Sequence, residues 1–226
     1  MMQVPMARSS LRQRLALLLP GASQRRRQIA AFAQEWQRTN TEAVEGPWWF
    51  VLGDSTAQGV GASTIRHGYV GAVADWLSVR DDVRWRVTNV SVSGATAAEV
   101  VAVQLPLLEA ALAAASPPDL VSCAVGPNDL LRRTTDLFTS LETVAARLPR
   151  GSLLANMPRG FRENNARRAN AVVASLALQH DLRLVDLWAA TGPPWRGKYS
   201  ADMFHPNDVG YRDWAGAFMR VLAEAG

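Results

Sequence analysis

Five short apolar runs, each separated from the next by a stretch of helical length and period, constrain the fold of this chain more than any other feature. The runs are "WWFVL" (48–52), "WRVTNVSV" (85–92), "DLVSCAV" (119–125), "SLLANM" (152–157) and "LRLVDL" (182–187). Between them lie "YVGAVADWLSV", "AAEVVAVQLPLLEAALAAA", "DLFTSLETVAARL" and "NARRANAVVASLALQH". Strands that alternate with helices predict a parallel sheet covered by helices on both faces. A length of 226 residues suits one such domain with an appendage, and 48% hydrophobic with 19% charged residues excludes a mainly disordered chain.

The appendage is residues 1–45, a basic segment set off from the body (46–226) at Gly46-Pro47. It holds seven arginines against Glu35, Glu42 and Glu45, which accounts for the whole net charge of +4. The body carries 17 basic and 17 acidic groups, so nothing in its charge points to nucleic acid. Residues 9–40 read as two helical pieces broken at "PGAS", with Ser23 as N-cap of the second. In that second piece Ile29, Phe32, Ala33 and Trp36 share one face, which predicts a helix docked on the domain. Reversible contact with an anionic membrane surface is the rival reading of the segment. The run "LALLLP" has five apolar residues before Pro20, fewer than the about 7 to 15 of a secretory signal, and a cytoplasmic location is expected. A single cysteine, Cys123, allows no intrachain disulfide and sits in an apolar strand as a small buried residue.

In open sheets of this kind ligands bind beyond the carboxyl ends of the strands. There "FVLGDSTAQG" (50–59) puts Ser55 just past the first strand among small residues. Three other loops of this kind hold candidates: Gly94 in "NVSVSGATA", Asn128 in "VGPNDLL", and Asp202 with His205 in "YSADMFHPNDVGY". Singly each has an ordinary reading, Gly94 as a turn, Asn128 and Asp129 as helix caps, His205 as a surface residue. Together they form the parts of an acyl-transfer site. A serine hydroxyl needs a base, which His205 can supply, and the imidazole needs a carboxylate, which Asp202 three residues earlier can supply. The Ser55 N–H at the start of a helix, the Gly94 N–H and the Asn128 side-chain amide could receive the negative charge that develops on a carbonyl oxygen.

Other motifs are weaker. "GPPWRGKY" (192–199) nearly spells a phosphate loop, but Tyr199 replaces the Ser/Thr and two prolines lack donors. "GVGAST" (59–64) lacks the third glycine of a dinucleotide fingerprint, and G-D-S-T-A at 53–57 is not a nucleophile elbow. Three scattered histidines and one cysteine give no zinc pattern, so no cofactor or metal is expected.

The four blocks "GDST", "SVSGAT", "GPND" and "DMFHPN" resemble, in order, those of the SGNH hydrolases, also called GDSL-type esterases and lipases. The resemblance covers about residues 48–222. It implies a three-layer α/β/α flavodoxin-like sandwich with a five-stranded parallel sheet. It also implies Ser55 as nucleophile, Asp202 and His205 as its partners, and Ser55, Gly94 and Asn128 as oxyanion donors. Thr56 departs from the family's usual leucine, a change expected to alter packing more than chemistry. Compact single-domain members point to esters or thioesters of an acyl chain, with a small-molecule ester as partner. The loop 161–170 and the stretch 189–204 are expected to border the pocket, with Trp188, Trp195, Met203 and Phe204 as apolar lining. Arg159, Arg162, Arg167 and Arg168 are read as a solvated basic face. A carbohydrate O-deacetylase using the same triad is one alternative, and a non-catalytic acyl-binding protein on a hydrolase scaffold is another.

Overall fold

The structure, a computed structural model, describes residues 22–160 and 162–224. The first of the two expected N-terminal helical pieces lies outside the described residues. The second is α1 (Ala22–Thr41), and Ser23 falls inside it instead of capping it. The body then runs β1 (Trp48–Gly53), α2 (Tyr69–Arg80), β2 (Arg86–Asn89), α3 (Ala97–Glu99), α4 (Leu105–Leu112), β3 (Leu120–Ala124), α5 (Pro127–Arg132) and α6 (Leu137–Arg147). It ends with β4 (Leu153–Ala155), α7 (Glu163–Gln179), β5 (Arg183–Val185), α8 (Leu187–Ala190) and α9 (Asp208–Ala223). All strand pairs are parallel, in the order β2-β1-β3-β4-β5, the flavodoxin-like arrangement.

All five expected strands form, several shorter than their apolar runs. Beyond β2 the chain still pairs with β1, through Val90 N–H to Val51 O and Val92 N–H to Gly53 O. After β4, Asn156 still gives its backbone N–H to Val185 O of β5, while its side-chain amide donates to Asp186 and accepts from the Trp188 N–H.

β1 is an interior strand, between β2 and β3, and is apolar on both faces, as a strand covered on two sides must be. Trp49 and Val51 join a core with Phe32 and Trp36 of α1, Tyr69 and Leu77 of α2, and Tyr211 and Phe218 of α9. Phe50 and Leu52 enter the opposite core with Leu105 and Leu108 of α4, Leu141 of α6 and Val173 of α7. The Trp49 indole N–H donates to Ser122 Oγ on β3, so its polar edge is satisfied inside the sheet.

The face of α1 expected to pack does so. Phe32 and Trp36 are buried, and the Trp36 indole donates to Gln58 O at 3.1 Å. At the free edge of β2 the Asn40 amide donates to Asn89 O and accepts from Asn89 N–H, so α1 covers the edge where another strand could add. No helix among the described residues is long and apolar enough to cross a membrane.

Between α3 and α4 lies a π-helical turn, Val100–Gln104. It turns the wholly buried Gln104 toward the end of β1, where its amide accepts from Gly53 N–H and donates to Gly53 O, both at 2.8 Å. Gly53 itself has φ +153°, and a Cβ there would lie 2.6 Å from Ala124 O. Gln104→Leu keeps the volume but strands the Gly53 N–H, while Gly53 O keeps only its bond from Val92 N–H. Chemical denaturation is expected to show a loss of at least about 1 kcal/mol, and a variant as stable as the wild type would refute this account of the turn.

Candidate active site

The crossover from β1 to β2 runs to one side and that from β2 to β3 to the other, which leaves a crevice beyond the carboxyl ends of β1 and β3. Ser55 lies there, two residues past the end of β1. Its N–H is not at the start of a helix, as expected from the sequence, but in a run of turns. Gln58 N–H bonds to Asp54 O, Gly59 N–H to Thr56 O and Val60 N–H to Ser55 O. Gly59 at φ +82° and Gly61 at φ +101° place the chain in the left-handed region, which ends any helix.

Ser55 Oγ is 2.9 Å from His205 Nε2, and His205 Nδ1 is 2.6 Å from Asp202 Oδ2. An ionised carboxylate can only accept, so Nδ1 carries the proton and Nε2 is left to accept from the serine hydroxyl. All three groups are shielded from water: the Ser55 and His205 residues are 4% and 5% exposed, and the Asp202 side chain 7%. Burial disfavours the Asp202 charge, but the His205 hydrogen bond and charge, with the N–H groups of His205 and Phe204, outweigh it. They hold the carboxyl well below its ordinary range.

The loop that delivers this pair is tied at its base. Asn207 donates through its N–H to Lys198 O and through its amide to Gly197 O and Tyr199 O, while its side-chain oxygen caps α9. Ser200 N–H bonds to His205 O, and Tyr199 pairs with Pro206 as an isolated bridge. The stretch that nearly spells a phosphate loop thus serves as a strut for His205.

Gly94, at φ +83°, lies between β2 and α3, and its carbonyl accepts from Arg132 Nη2 at 2.6 Å. Among the described residues no protein acceptor takes the N–H of Gly94 or of Ser55. Asn128 is in the first turn of α5, not in a loop. Its Nδ2 donates to Asp54 Oδ2 and to Ala95 O, each at 3.1 Å. The structure therefore joins Ser55, His205 and Asp202 directly, and ties Asn128 to the Gly94 loop through Ala95. Asp129, considered a cap, does accept the first N–H of α3, from Ala97, at 2.9 Å.

Two residues of this network, Asp54 and Arg132, were not singled out from the sequence, and a third, Thr56, was noted only for its packing. Asp54 is 1% exposed and holds the Asn128 amide; burial pushes its carboxyl up, against the Thr56 hydrogen bonds and the charge of His205. Thr56 gives Asp54 Oδ1 its N–H at 2.8 Å and its hydroxyl at 2.7 Å, so its departure from the family pattern adds a hydrogen bond rather than only a change of packing. Arg132 follows Asn128 by one helical turn and reaches the same loop. A carboxylate set between a buried strand and Ser55 was the one visible signal for Asp54. Cys123 is buried, and desolvation with the nearby Asp54 charge pushes its thiol up to about 12, which leaves it inert as a nucleophile.

Of the expected pocket residues, Phe204 stands edge-on to the His205 ring at 5.0 Å and Met203 beside it is 78% exposed. Trp188 instead lies against the guanidinium groups of Arg159 and Arg167, and Trp195 packs near Tyr199.

Known proteins share this architecture. TesA superposes with a TM-score of 0.63 at 26% identity, covering 77% of this chain and 97% of its own. Axe2, an acetylxylan esterase from Geobacillus stearothermophilus, superposes at 0.60 with 21% identity over 78% and 94%. The lipase Lip_vut3 from a goat rumen metagenome superposes at 0.62 with 17% identity over 78% and 97%. No curated protein matches the chain in sequence. The sequence pattern of one family fits residues 51–212, from the middle of β1 into α9. That span takes in every block from "GDST" to "DMFHPN", and the chain belongs to the GDSL-like lipase/acylhydrolase family, as a carboxylic ester hydrolase.

Proposed function

We propose that the chain hydrolyses esters or thioesters of an acyl chain through Ser55, His205 and Asp202, by way of an acyl-enzyme. The observation that carries this reading is the continuous hydrogen-bonded line from Ser55 Oγ to His205 to Asp202. Ser55 Oγ attacks the carbonyl carbon while its proton passes to His205 Nε2, and the carbonyl electron pair moves onto oxygen. The tetrahedral species collapses, the bond to the alcohol or thiol breaks, and that leaving group takes the proton from His205. Water then attacks the acyl carbonyl carbon with His205 again accepting a proton; the bond to Ser55 Oγ breaks, Ser55 takes that proton from His205, and the acid is released. Asp202 holds the tautomer and balances the imidazolium charge throughout.

The oxyanion is assigned to the free N–H groups of Ser55 and Gly94 and to Asn128 Nδ2. Both Asn128 amide protons already have acceptors, Asp54 Oδ2 and Ala95 O. An anion accepts more strongly than a neutral carbonyl, so the developing charge draws the proton now given to Ala95 O, while the bond to Asp54 keeps the amide in place.

Met203 and Phe204 beside His205 offer an apolar approach and favour an acyl chain over a sugar. The same fold serves an acetylxylan esterase and a lipase, so carbohydrate deacetylation stands as the competing substrate class. Rates on p-nitrophenyl esters from acetate to palmitate, set beside acetylated sugars and with a chelator present, decide between them. The acyl reading expects rates that rise beyond acetate; turnover confined to acetyl sugars would reverse it.

Ser55→Ala is expected to lower kcat/KM by at least about 10^4-fold while the thermal midpoint holds, and retained activity would end the triad assignment. Asn128→Ala is expected to lower kcat by about 10^2 to 10^3 with little change in KM. A raised KM at constant kcat would instead make Asn128 a substrate-binding group.

A further inference from the structure

Helix α1 lies outside the residues that fit the family pattern, yet its polar side chains reach the back wall of the site. Arg25 Nη1 donates to Asp202 Oδ2 at 3.4 Å, the same oxygen that faces His205 Nδ1. One turn on, Gln28 accepts from Gly61 N–H at 2.9 Å and donates to Ala62 O at 2.6 Å. Gly61 is pressed on the catalytic loop so closely that a Cβ would lie 2.2 Å from Pro206 O and 2.8 Å from His205 Cβ. Arg25, Gln28, Gly61 and Asp202 share the wall of a cavity of about 540 Å³ behind the carboxylate.

We propose that Arg25 is a positioning residue for the hydrolytic site: its guanidinium draws on the Asp202 charge, so that the docked helix sets the pH at which His205 is free to act as a base. This rests on the reading of Ser55, His205 and Asp202 as the catalytic line.

Asp202 Oδ1 accepts from Ser200 Oγ, Phe204 N–H and His205 N–H, all neutral donors. Oδ2 accepts from the His205 ring and from Arg25, which is the one other cation bonded to this carboxylate among the described residues. The Arg25 and Asp202 side chains are 24% and 7% exposed, so water screens the pair less than it screens a surface pair. A cation beside the carboxylate reduces its hold on an imidazolium and favours the neutral ring that the base role needs. The other ionisable groups around the pair have partners that do not involve Arg25. Asp54 is held by Thr56 and Asn128, Asp208 of α9 by Ser63 with His67 alongside, and Lys198 pairs with Asp213. The Tyr211 hydroxyl donates to Val60 O.

The test follows His205 directly, by NMR titration of the full chain labelled with 15N-histidine. The His205 resonances are assigned by their loss in His205→Asn, with His67 and His180 as internal references. In Arg25→Gln the His205 titration is expected to move to higher pH by about 0.2 to 0.7 unit, and the acidic limb of kcat/KM on p-nitrophenyl acetate to move with it. Arg25→Lys should restore more than half of the shift, and about 1 M salt should shrink it. Gln28→Ala loosens the same helix without changing charge, and should lower stability while leaving the titration in place. A His205 titration in Arg25→Gln within about 0.1 unit of wild type overturns the proposal, and so does an equal shift in Gln28→Ala. A shift in Arg25→Gln without serine-dependent hydrolysis by the wild type would leave the Arg25–Asp202 coupling standing and overturn the catalytic reading instead.

Discussion

A strand buried on both faces can carry no polar chemistry along its length, and β1 is such a strand. Trp49 and Val51 are committed to one core and Phe50 and Leu52 to the other, so the first position free to do anything else is at its carboxyl end. There the chain must also turn within a space that admits no Cβ at Gly53. The Gln104 amide closes the ladder where β1 stops, and Asp54, Ser55 and Thr56 follow at once. The location of the site follows from the way the sheet is covered, before any property of the serine itself enters.

A second layer of order comes from charge kept away from water. Asp54 is a buried carboxylate with three donors from Thr56 and Asn128, and through Asn128 it is linked to Ala95. Arg132 reaches the carbonyl of Gly94 from one turn further along α5. Removing one partner from such a network leaves an unpaired polar group in a low dielectric, which is why these side chains hold one arrangement. The resulting geometry keeps the N–H groups of Ser55 and Gly94 unengaged.

The five strands and their parallel order were legible because apolar runs and helical periods alternate without interruption from residue 48 onward. Ser55, Gly94 and Asn128 stood out because each lies in a short polar or glycine-rich block just past a strand, and Asp202 and His205 because they share one polar block before the last helix. Less legible was what depends on three-dimensional neighbours. Nothing local to Asn128 says that both its amide protons are taken, and nothing local to Gln104 says that it closes β1 through a π-helical turn. The turn after Ser55 was read as a helix because its small residues permit one, whereas Gly59 and Gly61 adopt conformations that forbid it. The docked face of α1 was visible in its period, but Arg25 counted only as one of seven arginines in a basic segment. Its partner lies 177 residues away.

That separation has a consequence for how the chain comes into being. Ser55 and His205 are 150 residues apart, and the strut that aims His205 closes through Asn207 at the start of the last helix. A ribosome releases Ser55, the proposed nucleophile, early and His205, its proposed base, late. Through most of synthesis Ser55 is an ordinary alcohol with no base beside it, and α1 waits with its arginine for a carboxylate not yet made. On the proposed triad, reactivity toward esters arises only as the loop before α9 and α9 itself dock, so that completion of the fold and onset of the chemistry coincide.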